Sequence, residues 1–269
     1  MVTFLFWNTN GKPLVDALVA IAEQEAVDIL ILAEWVVGET ALLTALNHRE
    51  PAFHLAPGHS RGITIVSRFH GRYLMPVFES DRVSIRRVML PGCDEILLVA
   101  VHFPSKLYWS DASQQTECTV LGRTIVEQET QAGHNRTMVV GDLNMNPFES
   151  GVVAAGGLNA TMTQRVAARG DRIVQGQSYP FFYNPMWGQL GDQSKGPPGS
   201  YYYERAEHIT YFWNTFDQVL LRPQLMDRLL SGAPRILDAA GNISLVKPDG
   251  RPDLDRASDH LPLLFRLDL

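Results

Sequence analysis

The sequence predicts an α/β (α+β) domain organised around mixed β-sheets, and three observations support this prediction. Helical segments separate some of the predicted strands, as in βαβ units. Polar residues follow the earlier strands in the sequence but precede the last two strands. If all these residues share one site, the last two strands must run antiparallel to the earlier ones. Short apolar runs of strand length recur along the chain: FLFW (4–7), DILILA (28–33), ITIV (63–66), EILLVAV (95–101), TMVV (137–140), FDQVLL (216–221) and LLFRL (263–267).

The first two predicted strands flank a helix over residues 14–26. Leu14, Leu18 and Ile21 share one face of that helix, so it buries an apolar stripe and the two strands form a parallel βαβ unit. The spacing predicts a second helix from Ser113 to Gln131, ended by Gly133.

The composition predicts one globular domain over residues 1–269. The chain is 45% hydrophobic and 19% charged, without a repeat, a charge block or a linker. Its 23 Lys and Arg against 29 Asp and Glu give a net charge of −6. This acidic balance argues against strong non-specific binding to a phosphate backbone, which Lys and Arg drive by displacing counterions.

The cellular context is predicted from what the sequence lacks. Cys93 and Cys118 are the only cysteines, which favours a reducing compartment. The segment MVTFLFWNTNGK has neither the basic nor the long apolar region of a secretory signal, and no apolar run approaches the ~18 residues that span a bilayer. We therefore expect a cytoplasmic protein with no stable membrane association, and no protein partner is indicated.

Polar side chains follow four of the predicted strands at their carboxyl ends, where open α/β sheets place ligand sites. In the last two strands the polar residues come first, so one shared site requires those strands to run antiparallel. Each residue alone has another explanation: NTNG is good turn chemistry, His102 suits a hydrogen-bonded core histidine, and Ser258-Asp259-His260 suits a helix cap. Their joint occurrence favours a site composed of Asn8, Asn10, Glu34, His102, Asp142, Asn144, Asp217, Asp259 and His260.

These residue types suit metal-assisted hydrolysis of a phosphodiester. Glu34 and Asp259 are hard oxygen donors without a thiolate nearby, which favours Mg²⁺ or Mn²⁺. Asp142 and Asn144 can orient water and accept its proton. His102 and His260 can donate hydrogen bonds to phosphate oxygens or a proton to the leaving group, and a buried Asp217 would favour a protonated imidazole.

The order of these motifs resembles the endonuclease/exonuclease/phosphatase superfamily, which includes DNase I, exonuclease III-type AP endonucleases, deadenylases, inositol polyphosphate 5-phosphatases and neutral sphingomyelinases. The resemblance covers nearly the whole chain, and it implies a four-layer α/β/β/α sandwich of two mixed sheets. The motifs that carry it are WNTNG (7–11), LAEW (32–35), VHFPS (101–105), GDLNMNP (141–147), FDQVLL (216–221) and SDHLPL (258–263).

The resemblance also implies roles. Asn8 and Glu34 match the metal-site amide and glutamate, and Asp259 matches a further metal-associated aspartate. Asp142 and Asn144 match the pair that activates water and positions phosphate, while Asp217 and His260 match the Asp–His dyad. His102 stands where AP endonucleases have a tyrosine, and Asn10 where they have an aspartate. These two departures weaken the Asn10 ligand and argue against an AP endonuclease.

The fold serves unrelated substrates, so the substrate class depends on residues outside the shared site. A nuclease is favoured by an Arg-rich stretch over 61–87, in which Arg86 is a candidate phosphate ligand. The aromatic segment 175–203 could stack bases through Tyr183, Asn184 and Trp187, or through residues 201–203. A solvated arginine face and a self-packed loop are the alternatives. A small or lipid phosphoester, or a non-enzymatic binding module, remains the competing function.

Overall fold

The computed structural model describes residues 1–50 and 52–269 and contains two large mixed β-sheets. The strands are β1 (Val2–Asn8), β2 (Ile29–Ala33), β3 (His54–Leu55), β4 (Ile63–Ser67), β5 (Leu74–Glu79), β6 (Val83–Val88), β7 (Ile96–His102), β8 (Thr137–Asp142), β9 (Ala160–Thr161), β10 (Asp171–Val174), β11 (Gln177–Pro180), β12 (Phe182–Tyr183), β13 (Tyr201–Tyr203), β14 (Phe212–Asn214), β15 (Asp217–Leu221), β16 (Arg235–Ile236), β17 (Ala239–Ala240), β18 (Ile243–Ser244) and β19 (Leu263–Leu267). The α-helices are α1 (Val15–Gln24), α2 (Glu39–Leu46), α3 (Asp111–Ala132), α4 (Ser150–Val153), α5 (Gln164–Ala167) and α6 (Pro223–Met226).

The first sheet has the strand order β16-β19-β1-β2-β4-β3. β1 and β2 are parallel and joined by α1, whose buried Leu18 and Ile21 face the core. β19 lies antiparallel beside β1, with Phe4 opposite Phe265. The predicted βαβ unit and the reversed last strand are both confirmed.

The second sheet has the strand order β5-β6-β7-β8-β15-β12-β9. The parallel strands β7 and β8 are joined by α3. The Ser110 hydroxyl caps that helix by accepting a hydrogen bond from the backbone of Ser113, and Gly133 ends it in a left-handed conformation with φ 74°. β15 runs antiparallel to β8 and places Asp217 opposite Asp142, as the polar pattern requires.

Alternation along β7 explains how the layers pack. Leu98 and Ala100 belong to the core shared with the first sheet, whereas Val99 and Val101 pack in a second core with Leu121 of α3. The first sheet is covered on its other face by α1 and α2. The layers are therefore helix, sheet, sheet and helix, and the four-layer α/β/β/α sandwich is confirmed.

Several elements were not apparent in the sequence. Strands β5 and β6 and helix α2 are absent from the predicted set. Parts of the aromatic segment 175–203 form β11, β12, β13 and a 3-10 turn over Pro185–Gln189. Within the described residues, no helix is long and apolar enough to cross a membrane.

Candidate active site

Polar side chains from both sheets meet at one edge of the sandwich. The register places Asn8 beside Ala33, which Glu34 follows, and it places His102 beside Asp142. The Asn8 amide nitrogen joins the two sheets, because it donates to Glu34 Oε1 at 3.3 Å and to Asp142 Oδ2 at 3.0 Å. The strand ends therefore share one site, as the sequence predicts.

His260 lies between two buried carboxylates. Its Nδ1 is 2.8 Å from Asp217 Oδ2, and its Nε2 is 3.7 Å from Asp142 Oδ2. Burial by itself lowers the pKa of His260, but the charges of Asp217 and Asp142 outweigh it and raise the pKa to about 10. Burial in turn raises the pKa of Asp142, and the nearby His260 charge offsets part of that increase. The imidazole is therefore protonated at neutral pH and serves as the counter-ion of this cluster.

Backbone and hydroxyl contacts fix His260 in position. The Trp7 indole nitrogen donates to the His260 carbonyl oxygen at 2.9 Å. The Ser258 hydroxyl donates to the Asn8 carbonyl oxygen at 2.7 Å and accepts from the His260 backbone N–H at 3.1 Å. The ring of Tyr201 covers the imidazole with a centroid separation of 4.8 Å. These contacts attach the dyad histidine to β1 and leave its ring a narrow range of orientations.

Glu34 and His102 form the second pair. His102 Nε2 is 3.1 Å from Glu34 Oε1, and this hydrogen bond lowers the pKa of Glu34. Glu34 has a left-handed backbone with φ 52°, held where the Thr9 hydroxyl and the Gly11 N–H both contact the Glu34 carbonyl oxygen. Its side chain is 41% exposed, so the carboxylate can meet a ligand from solvent.

The loop after β8 holds Asp142 and Asn144 together. Asp142 Oδ1 accepts from the Asn144 backbone N–H at 2.8 Å, and the Asn144 side-chain amide bridges Asp142 Oδ2 and the Phe103 carbonyl oxygen at 3.1 and 2.8 Å. Gly141 permits this arrangement, because a Cβ there would lie 1.9 Å from the Val101 carbonyl oxygen. The Gly-Asp-x-Asn sequence therefore meets a steric requirement as well as a chemical one.

Two predicted metal-site residues have different surroundings from those expected. The Asn8 side-chain oxygen accepts a hydrogen bond from the Asn10 backbone N–H at 3.0 Å. The Asn8 side-chain nitrogen donates to both Glu34 and Asp142, so Asn8 lies between these two carboxylates as a hydrogen-bond donor. Asn10 is exposed, has φ 50° and closes the turn. The turn interpretation therefore describes Asn10 best. Asp259 is half-buried beside His260, and its Oδ1 lies 3.2 Å from the Ser258 hydroxyl.

The structure does not support three of the predicted substrate contacts. Arg86 is 2% exposed, and its guanidinium bonds to Glu79, to the Leu74 carbonyl oxygen and to the Pro57 carbonyl oxygen, so no donor face remains for a phosphate. Asn184 is buried and donates to Gln218 at 2.7 Å. Tyr183 is half-buried at the site where β12 pairs with β15. These side chains stabilise the fold.

Trp187 approaches a groove beside the site without lining it. The groove has a volume of about 640 Å³, and Asn144 is one of the residues that line it. Trp187 packs behind Phe148, which lines the groove, at 6.2 Å between ring centroids. Of the aromatic candidates in the sequence, Tyr201 and Tyr203 do line it. The remaining lining aromatics were missed because they come from separate segments of the chain.

Comparisons with known proteins identify the family of this chain. A profile of the endonuclease/exonuclease/phosphatase family matches residues 5–260. The chain belongs to this family. Members of the endonuclease/exonuclease/phosphatase family are hydrolases of phosphodiester bonds that generally depend on a divalent metal. A sequence search of curated proteins finds no match.

Solved structures of the endonuclease/exonuclease/phosphatase family share the fold at low sequence identity. An AP endonuclease from Archaeoglobus fulgidus is 16% identical with a TM-score of 0.56, and the match covers 100% of both chains. Truncated Caenorhabditis elegans TDP2 is 14% identical with a TM-score of 0.58, covering 98% of this chain and 97% of that chain. D. rerio TDP2 complexed with a single-strand DNA product is 17% identical with a TM-score of 0.54, covering 100% and 99%.

The donor set fits the divalent metal on which this family generally depends. Within the described residues, no Lys or Arg pairs with the site carboxylates, which are Glu34, Asp142, Asp217 and Asp259. Among the same residues, Asp217 Oδ1 is buried without a hydrogen-bond partner. The Glu34 carboxylate is exposed and Asp259 is half-buried, and carboxylate oxygens are hard donors suited to Mg²⁺ or Mn²⁺. In contrast, the 2.8 Å bond between Asp217 and His260 leaves no room for a cation between those two groups. Glu34 is therefore the accessible carboxylate that would hold the metal.

Proposed function

We propose that this protein is a Mg²⁺- or Mn²⁺-dependent phosphodiesterase that cleaves nucleic acid by in-line attack of water. The observation that carries the proposal is the buried Asp142–His260–Asp217 cluster opposite the accessible Glu34–His102 pair. The first places a fixed positive charge where a phosphate oxygen can approach, and the second offers a carboxylate to a metal. When bound, such a metal polarises the phosphoryl group and stabilises the charge of the transition state.

The protein residues divide the remaining chemistry. The Nε2–H of protonated His260 donates to a non-bridging phosphate oxygen, and Asp217 keeps the proton on the ring. Asp142 and Asn144 orient the attacking water, and Asp142 accepts its proton. His102 Nε2 is held by Glu34 Oε1 at 3.1 Å, so the other ring nitrogen, Nδ1, is the one left to interact with the departing oxygen.

The test compares isosteric variants on defined substrates. Plasmid, single-stranded DNA, RNA and bis-p-nitrophenyl phosphate are incubated with Mg²⁺ and with Mn²⁺. We expect Asp142→Asn to lower kcat by about 10²–10⁴-fold, the usual contribution of a positioned proton-transfer group. His260→Gln should lower kcat by about 10²–10³-fold, the usual cost of losing a donor to a transition-state oxygen. Asp192→Asn is the control, because Asp192 is an exposed carboxylate outside the site. Unchanged turnover in both variants, with folding verified by circular dichroism, would contradict the proposal.

A small phosphodiester is the second candidate substrate. It is favoured by the groove at Asn144, whose ionic side chains are three carboxylates and two cations. A polyanion gains little from such a surface. Cleavage of bis-p-nitrophenyl phosphate without cleavage of any nucleic acid would select this candidate. We further propose a cytoplasmic enzyme.

A further inference from the structure

The groove beside Asn144 is rich in aromatic side chains, and we call it the ring groove. Tyr211 is 60% exposed and meets Phe148 edge to face at 5.4 Å. Tyr201 stacks on Tyr203 and on Phe216 with centroid separations of 6.3 and 5.2 Å. Phe148, Ile209 and Tyr211 are 37%, 76% and 60% exposed, and an exposed apolar patch of this kind is typical of a binding site. The residues that define the ring groove are Phe148, Tyr201, Tyr203, Ile209, Tyr211 and Phe216.

The charges that line the ring groove are matched among themselves. Lys106 pairs with Asp111 at 3.0 Å and also with Glu149, and Arg205 pairs with Glu207 at 3.2 Å. With three carboxylates against two cations, the groove presents no positive surface to a second phosphate. Its walls therefore favour an uncharged flat group over an anionic one.

On the other side of the active site from the ring groove, the surface is positively charged. The His102 backbone N–H donates to the Arg82 carbonyl oxygen at 2.9 Å, which places Arg82 beside that histidine. Arg82 is exposed and forms no ion pair with any residue the structure describes. The Arg61 side chain is 87% exposed, and its ion pair with Asp81 is long, at 3.9 Å. Two accessible guanidinium groups against one carboxylate give this side a positive surface.

We propose that the ring groove binds an uncharged aromatic ring carried by one substituent of the scissile phosphodiester, and that any further anionic part of the substrate lies toward Arg61 and Arg82. Asn144, which contacts Asp142 through its side-chain amide, also lines the groove, so a ring bound there lies beside the proposed reaction site. A nucleobase has the required flatness and lack of charge, and it stacks on aromatic side chains. The inference rests on the proposed phosphodiesterase function and adds the chemical class of one substituent of the substrate.

The experiment uses three dinucleoside monophosphates: thymidylyl-thymidine and two analogues that lack either the 5′ or the 3′ base. All three keep a sugar hydroxyl as leaving group, so differences report ring binding. We expect kcat/KM to fall about tenfold for one analogue, equivalent to about 1.4 kcal/mol, and to fall less for the other. Tyr211→Ala should lower kcat/KM about tenfold on the complete substrate and clearly less on the sensitive analogue.

Controls and a binding measurement complete the test. Tyr108→Ala is the matched control, because Tyr108 is 85% exposed and does not line the groove. Arg82→Gln should lower kcat/KM for a longer oligonucleotide more than for the dinucleotide, whereas the exposed Arg165→Gln should not discriminate. Equal kcat/KM on all three dinucleotides, or an equal effect of Tyr211→Ala on each, would overturn the inference.

Binding without turnover separates this inference from the function on which it rests. Phenylphosphonate and methylphosphonate are titrated into the wild-type protein by calorimetry. Tighter binding of the phenyl compound, lost in Tyr211→Ala, would support the ring groove even if no phosphodiester were cleaved. Cleavage without any preference for the phenyl compound would retain the phosphodiesterase and refute the ring groove.

Discussion

The charge cluster at His260 makes the strongest quantitative prediction. The substitution Asp217→Asn keeps the shape of the side chain and removes its charge from 2.8 Å. An ion pair near 4 Å is worth about 4 kcal/mol at an effective dielectric constant of about 20, so we expect the pKa of His260 to fall by about 2–3 units from its value of about 10. The imidazole would then titrate near neutral pH.

The same pair makes stability depend on pH, in a defined direction. The folded pKa of about 10 exceeds the ordinary histidine pKa of 6.5, so the stabilisation is complete below about pH 6.5 and is lost as the pH rises toward 10. The difference corresponds to about 4–5 kcal/mol. In the wild type, the free energy of unfolding in urea should therefore fall markedly between about pH 7 and pH 10, and in Asp217→Asn this fall should be much smaller.

Two measurements decide this prediction. The His260 ring is titrated by NMR in both proteins, and unfolding is followed by fluorescence in urea at each pH. Asp192→Asn, an exposed carboxylate away from the cluster, should reproduce the wild-type curves. A wild-type His260 that titrates near 6.5, or the same pKa in wild type and Asp217→Asn, would refute the reasoning.

Further predictions concern the backbone, the metal and one arginine. Gly141→Ala should lower stability by about 3 kcal/mol or more through its clash with the Val101 carbonyl oxygen, whereas Gly156→Ala, which meets nothing within 4 Å, should shift Tm little. Glu34→Gln should weaken Mg²⁺ binding at least tenfold by calorimetry while Tm changes little, and unchanged affinity would remove Glu34 from the metal site. Arg86→Met should lower stability by about 3 kcal/mol with KM unchanged, and a raised KM would restore Arg86 as a substrate contact.

Much of the sandwich and its central site could be predicted because the signals are local. Strands such as β1 and β8 are continuous apolar runs, and a strand with both faces covered has that pattern. A polar residue directly after such a run must emerge at the sheet edge, so the positions of Glu34 and Asp142 followed from chain order. The reversal of β15 relative to β8 followed from the same reasoning.

The parts that could not be predicted depend on partners distant from the residue in question. Strand β6 contains Arg86 and Arg87, and in the sequence this suggests an exposed phosphate-binding stretch. In the structure, Glu79 pairs with Arg86 and Glu95 pairs with Arg87, which neutralises both charges. Asn184 suggested a surface contact, but a buried Gln218 satisfies its amide. The same limitation hid the ring groove, since its aromatic walls come from segments that are far apart in sequence.

The arrangement of β19 has a consequence for how the protein acquires activity. Asp142 and Asp217 are buried next to each other on adjacent strands, and their counter-ion arrives with the segment that precedes β19. A nascent chain that lacks His260 must therefore keep this edge hydrated, because two uncompensated carboxylates cannot be dehydrated together. In the folded protein, the pairing of β19 with β1 and the hydrogen bond from the Trp7 indole to the His260 carbonyl oxygen keep that cation in place. A chain in which β19 is not paired with β1 lacks this counter-ion and should therefore be catalytically silent.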